Sequence, residues 1–311
     1  MPMGMGMPRH TDLIELASGS TRVRVAPRAG GSIAAYYDEA PDGPQHWFRP
    51  TSDAALASGD PLRFASFPLF PYCNRIRDAK FEFGGRTIDL SGPDDAYRHA
   101  LHGHGWLRPW QVERRADTQV DLRFEHRPDA GRAGDWPFHY EARQSIRLDG
   151  PVLSITLSAR NLGAQPMPFG MGHHPYYLRT PHTVVKAHVD AMWHADADVL
   201  PTHVGDHPAV AALCNGMPVD AFELDNNFVG WSREAAVIWP ERGRQVVLQA
   251  ERPFDQLVVY APSGADALCV EPVTNTTDSF NAAEPASLVG GCVLAPGEAL
   301  QATLRWTPGP A

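Results

Sequence analysis

Apolar residues recur at every second position in many short stretches of this 311-residue chain. Val120, Leu122 and Phe124 alternate with polar neighbours in TQVDLRFEH, as do Leu153, Ile155 and Leu157 in PVLSITLSA. Leu300, Ala302, Leu304 and Trp306 repeat the pattern near the C-terminus. A period of two puts one set of side chains on one face of a strand, so these stretches predict half-buried strands. The segment KFEFGGRTIDL predicts a hairpin, with Phe81 and Phe83, a turn at Gly84-Gly85, then Ile88 and Leu90. Helical periodicity is scarce. PAVAALC, from Pro208 to Cys214, predicts one or two turns, and no segment sustains three. Strands with turn signals between them run to the C-terminus, which favours a sandwich or barrel over alternating βαβ units. No fixed-length repeat or biased linker divides the sequence, so one large all-β domain over 1–311 is expected, with frayed tails at about 1–12 and 307–311.

Composition sharpens this picture. There are 27 glycines and 29 prolines, well above the usual ~12% combined, and a proline inside a helix costs ~3 kcal/mol. The formal net charge is -9 and no run of Lys and Arg occurs. A nucleic-acid or acidic-membrane partner would need a basic footprint, so neither is expected. Cys73, Cys214, Cys269 and Cys292 lie far apart with no Cys-x-x-Cys pair, a pattern of free thiols rather than of a disulfide framework or zinc ribbon. The N-terminal MPMGMGMPRHTDL lacks the basic start and apolar run of a signal peptide, and no stretch reaches transmembrane length. A cytoplasmic location is the expectation.

Four clusters carry candidate chemistry: FPLFPYCNRIRD (Phe67 to Asp78), ALHGHGWLRPW with His102 and His104, FGMGHHPYYLR with His173 and His174, and LCVEPVTNTTDSFN with Glu271. Each also has a plain structural reading. Arg75 alone reads as a solvated side chain, His-Gly-His-Gly as a turn, and the paired histidines as partly buried core imidazoles. Glu271 closes an apolar run, and a buried carboxylate must be paired, hydrogen-bonded or raised in pKa. Trp106, Trp110, Tyr176, Tyr177 and Phe280 stand near these polar groups. Flat rings beside hydrogen-bonding groups suit a sugar, although tryptophans and tyrosines also build β-sandwich cores.

Together and in this order, the clusters resemble the aldose 1-epimerase (galactose mutarotase) family. The resemblance rests on Asn-Arg-Ile at 74–76, Leu-His-Gly at 101–103, Gly-x-His-x-Pro-Tyr-Tyr at 172–177 with one slip, Val-Glu-Pro-x-Thr at 270–274, and LDNNFVGW around Asp225. It extends from about Phe67 to the final strand. It implies a large galactose-mutarotase-like β-sandwich (supersandwich) with few short helices and an open sugar cleft on a concave sheet. It further implies an isomerase that interconverts α- and β-anomers of a free aldose, with His174 as general acid and Glu271 as general base. Arg75 and His102 would hold and polarise the sugar, and Asn74 and Asp225 would bind hydroxyls. The sequence departs from the family pattern at His173, Tyr177 and Asn275, which bears on sugar preference.

That reaction takes a proton from the anomeric hydroxyl and delivers one to the ring oxygen. It needs a carboxylate and an imidazole, expected on opposite sides of the sugar, and no metal or cofactor. A histidine acid titrates near neutrality without much tuning, and an ionised Glu271 should be open to the cleft or hydrogen-bonded. Rival readings are a hexose-6-phosphate 1-epimerase, a non-catalytic carbohydrate-binding protein, a glycoside hydrolase using Asp225 with Glu271, and a metal enzyme using His102, His104, His173, His174 and Glu271.

Overall fold

The computed structural model describes residues 13–92 and 98–311. Strand takes 49% and helix 10%, so the all-β expectation holds. A nine-stranded antiparallel sheet runs in the order Gln111–Ala116, Gln119–His126, Tyr140–Asp149, Val152–Asn161, Ala299–Pro310, Arg244–Ala250, Glu234–Trp239, Val184–Ala187 and Met217–Pro218. Its long strands alternate as their sequences require: Val120, Leu122 and Phe124 are buried, as are Leu153, Ile155 and Leu157.

A second sheet carries Pro201–Gly205, Ala191–Ala195, Leu224–Val229, Gln256–Ala261, Ala267–Val273, Gly172–His173 and Pro68–Leu69 in order, with Tyr176–Leu178 also paired to Ala267–Val273. Leu257, Val259, Leu268 and Val270 of this sheet join Ile146, Ile155, Leu304 and Trp306 of the first in one apolar core. The opposite face of Ala267–Val273 is covered too, and all seven residues are buried. A strand with both faces covered reads as a continuous apolar run, which is why Glu271 stands out within it. Near the N-terminus, Ile14–Ser18, Thr21–Ala26, Ser32–Asp38 and Gln45–His46 make a four-stranded sheet that no motif announced.

The Lys80–Phe83 and Arg86–Asp89 hairpin turns through Gly84 (φ 60°) and Gly85 (φ 74°), the pair of positive φ values a two-residue turn demands. The helix Pro208–Asn215 forms where expected, with Pro208 in its first turn and His207 Nδ1 accepting from the Ala209 N–H at 3.1 Å. One expectation fails. Thr307–Pro310 is not a frayed tail but the end of the last long strand, with Val247 opposite Thr307, Val246 opposite Pro308 and Arg244 opposite Pro310. The pairing with Val152–Asn161 ends at Trp306, so beyond it the strand has a free side where prolines lacking an N–H are tolerated. The tail expected at 1–12 lies outside the described residues.

Candidate active site

Pairing register decides which side chains share the face of the second sheet that points away from the main core. Glu271 lies opposite Val258, and Cys269 opposite Tyr260, which in turn faces Asp225 across the next ladder. Tyr176 completes that row by pairing with Cys269. Residues directly opposite point to the same face, so Glu271, Cys269, Asp225, Tyr260 and Tyr176 form one patch. The neighbouring His174 is anchored by its N–H to the Phe67 carbonyl at 2.9 Å. Its ring rests against Phe67 and Tyr176, each at 4.7 Å between centroids. From there its Nε2 reaches Glu271 Oε1 at 3.3 Å.

Arg75 and His102 come from the short pairing of Arg75–Ile76 with Ala100–Leu101. Asn74 and His102 lock each other: the Asn74 N–H donates to His102 Nδ1 at 3.0 Å, and the His102 N–H to the Asn74 carbonyl at 2.8 Å. Both sit at positive φ, 61° and 57°, a region that Asn and His enter more readily than most residues. Because Nδ1 accepts, a neutral His102 carries its proton on Nε2 and is a donor there. The imidazole meets the His174 ring edge-on at 5.3 Å. Asn74 Oδ1 accepts from the Arg75 N–H at 2.9 Å and from its guanidinium at 3.1 Å, so Asn74 aims Arg75. The guanidinium then stands 3.5 Å from Asp225 Oδ2.

Burial governs the ionisation of this group. It raises the Glu271 carboxyl well above the usual range, nearby Asp225 adds to the rise, and Arg75 opposes it. Asp225 is raised in the same way, again with Arg75 opposing. His174 is lowered to about 3 by burial, partly offset by its own backbone carbonyl and reinforced by Arg49. His102 is likewise lowered, by burial first and by His174 and Arg75 next. Burial thus works against the sequence expectation of an ionised base and a near-neutral acid. Desolvation penalises both charged forms, which favours the proton on Glu271 beside a neutral His174. The pair is also in contact rather than on opposite sides of a sugar-sized gap.

All six residues singled out in sequence (Asn74, Arg75, His102, His174, Asp225 and Glu271) thus converge on one patch. Other candidates do not. His173 is buried, with Nε2 3.1 Å from Gln144 Oε1 and Nδ1 2.5 Å from Ser66 Oγ. His104 packs on His126 and has Nε2 3.1 Å from the Tyr140 hydroxyl. Asn275 ties Cys73 to the 274–279 loop, accepting from the Cys73 N–H and donating to its carbonyl, each at 3.2 Å. Trp110 and Tyr177 are core residues whose polar atoms bond to the Gly105 carbonyl and to Trp306 Nε1. Phe280 packs on Phe81. Sequence reasoning missed Phe67, Cys269 and Arg49, whose guanidinium lies 4.1 Å above the Tyr176 ring. Arg49 sits in a stretch with no motif to mark it.

The histidine-rich metal set is not assembled. Among the described residues, three metal-capable atoms come within 4.8 Å of one another only at His174, Cys269 and Glu271. No helix among them is long and apolar enough to cross a membrane.

The sequence profile described as aldose 1-epimerase matches residues 12–307. The chain belongs to the aldose 1-epimerase family. A family relative, the uncharacterised Escherichia coli K12 protein YphB, is 28% identical over 291 residues, covering 91% of this chain and 94% of YphB. A candidate aldose 1-epimerase from Escherichia coli K12, known as a crystal structure, superposes with a TM-score of 0.84 at 26% identity over 96% of this chain and 99% of its own. A galactose mutarotase-like protein of Clostridium acetobutylicum shares the fold at a TM-score of 0.85 and 20% identity, covering 96% and 95%. The match reaches back to residue 12, so the N-terminal sheet belongs to the family domain although the motifs begin only near Phe67.

Proposed function

We propose that this aldose 1-epimerase family member is an isomerase that interconverts the α- and β-anomers of a free aldose by general acid–base ring opening and reclosure. The observation that carries the reading is the 3.3 Å contact between His174 Nε2 and Glu271 Oε1, on a face that also presents Arg75, Asp225 and His102. The anomeric hydroxyl and the ring oxygen share one carbon, so their proton partners need to lie only a few ångström apart. A carboxylate and an imidazole in contact satisfy that requirement.

A proton crossing from Glu271 to His174 gives the carboxylate and imidazolium that start the reaction, and Arg75 favours the carboxylate. Glu271 then accepts the proton of the anomeric hydroxyl while His174 delivers its own to the ring oxygen. The C1 to ring-oxygen bond breaks and a free aldehyde forms. Rotation about C1–C2 followed by the reverse transfers closes the ring on the other face. The Nε2–H of His102 and the guanidinium of Arg75 supply donors to sugar oxygens, and Asp225 accepts from a hydroxyl.

The cations beside the pair are already engaged, Arg75 by Asp225 and Arg49 by the Leu62 and Phe64 carbonyls and the Tyr176 ring. That supports an uncharged sugar over a 6-phosphate, which would call for spare guanidinium groups. Magnetisation exchange between α- and β-anomer signals, measured across a panel of aldoses with and without a 6-phosphate, tests the proposal. Acceleration of at least one free aldose is expected. A protein that bound sugars and accelerated none would be a carbohydrate-binding relative, and the proposal would fall.

A further inference from the structure

We propose that His174, Cys269 and Glu271 together form a binding site for a thiophilic divalent cation, Zn²⁺ or Cd²⁺, whose occupancy switches off the acid–base pair. The blocking part rests on the sugar reaction proposed above; the binding part does not. Three observations carry it.

The first is geometry. The imidazole, thiol and carboxyl each offer one atom, and the three lie within 4.8 Å of one another. Tetrahedral zinc with bonds of about 2.0–2.3 Å holds neighbouring donors about 3.3–3.8 Å apart. The 3.3 Å between His174 Nε2 and Glu271 Oε1 is at that spacing, and the sulfur needs to close by only about 1 Å.

The second is charge. Two cations stand at this patch beside the carboxylates Asp225 and Glu271. Arg75 contacts Asp225, and Arg49 lies 4.1 Å over the Tyr176 ring and acts on both His174 and Cys269. Once Glu271 ionises and the Cys269 thiol releases its proton to water, a divalent cation balances both charges where burial would otherwise oppose them.

The third is chemical selectivity. Sulfur with imidazole and carboxylate suits Zn²⁺ and Cd²⁺, whereas Mg²⁺ and Ca²⁺ prefer oxygen sets. Cys269 has no part in the proton transfers proposed for the pair. A buried thiol there is a neutral neighbour to a sugar and a ligand to a soft metal.

The test titrates Cd²⁺ and Zn²⁺ into the whole protein carrying Cys214→Ser and Cys292→Ser, which removes the two cysteines that are not buried. Ultraviolet thiolate-to-cadmium charge transfer reports binding, and anomer exchange reports inhibition. A saturable band and loss of exchange at one equivalent are expected. Cys269→Ser, with Cys269→Ala as a second variant checked for folding by circular dichroism, should abolish the band, weaken binding at least about tenfold, and leave whatever exchange the variant retains insensitive to added Cd²⁺. A band that survives in both variants, or none in the parent, overturns the site. Binding through Cys269 by a protein that turns over no sugar would sink the sugar reading while upholding the cation site. Undiminished exchange with the site filled would overturn the switch.

Discussion

Glu271 and Asn74 show how differently two polar residues serve the same patch. In the proposed reaction Glu271 is a proton carrier, and each such partner would be worth roughly 10²–10⁴-fold in rate. Glu271→Gln or His174→Asn should therefore cut anomer exchange by at least about a hundredfold with melting temperature retained. Near wild-type turnover in both would dismiss the pair. Asn74 acts through Arg75, whose guanidinium and N–H it holds by Oδ1. A hydrogen bond to a charged group is worth about 1.5–3 kcal/mol, so Asn74→Gly, which tolerates the positive φ, should lower kcat/KM about ten- to a hundredfold. Asn74→Ala should lose that and stability as well, by denaturant titration. Sequence motifs marked both residues, but the amide's job was not legible. Whether an asparagine touches sugar or a neighbouring arginine depends on a backbone angle that no residue pattern states. Arg49 illustrates the same limit: it reaches Tyr176 only because Ser32–Asp38 and the residues after it fold back onto the second sheet.

At the scale of elements, period-two alternation located the long strands of the nine-stranded sheet, and a Gly-Gly pair located a hairpin turn. What was hidden were elements defined by a partner rather than by their own pattern. The Pro-rich end Thr307–Pro310 reads as tail because proline is a poor strand former, yet it pairs with Arg244–Val247. Removing residues 307–311 should lower the melting temperature by a few degrees without changing turnover; an unchanged melt would assign that ladder no energetic weight. Asn275 likewise looked like a choice about sugars. Its amide makes four hydrogen bonds, to Cys73 on both sides, Thr276 and Ser279. Asn275→Ala should cost several kcal/mol in urea titration, since each buried group left unsatisfied costs about 1–3 kcal/mol.

For the molecule as a whole, the buried histidines set a pH limit. His173 and His174 are both held near 3 by burial, against an ordinary value of 6.5. A base with a lowered folded pKa binds fewer protons native than unfolded, so its contribution is complete above about pH 6.5 and is lost as pH falls toward 3. The raised Glu271 carboxyl acts in the other direction: its contribution fades as pH climbs through its elevated folded value. Melting temperature should therefore fall on the acid side, and His173→Gln should flatten that limb between about pH 6.5 and 4. An acid limb identical in the variant would assign the loss to other groups. The strand Ala267–Val273 has a further consequence. It is enclosed on both faces, so its amides should be among the last to take up deuterium. The amides of His174, Asn74 and His102, buried and hydrogen-bonded to the Phe67 carbonyl and to each other, should be protected with them, whereas the exposed turn at Gly84-Gly85 should exchange early. Both proton carriers of the proposed reaction would thus sit in slow-opening parts of the molecule. Turnover should therefore persist in urea until the β-sheet circular dichroism is lost, and its loss well before that transition would place the site in a separately opening unit.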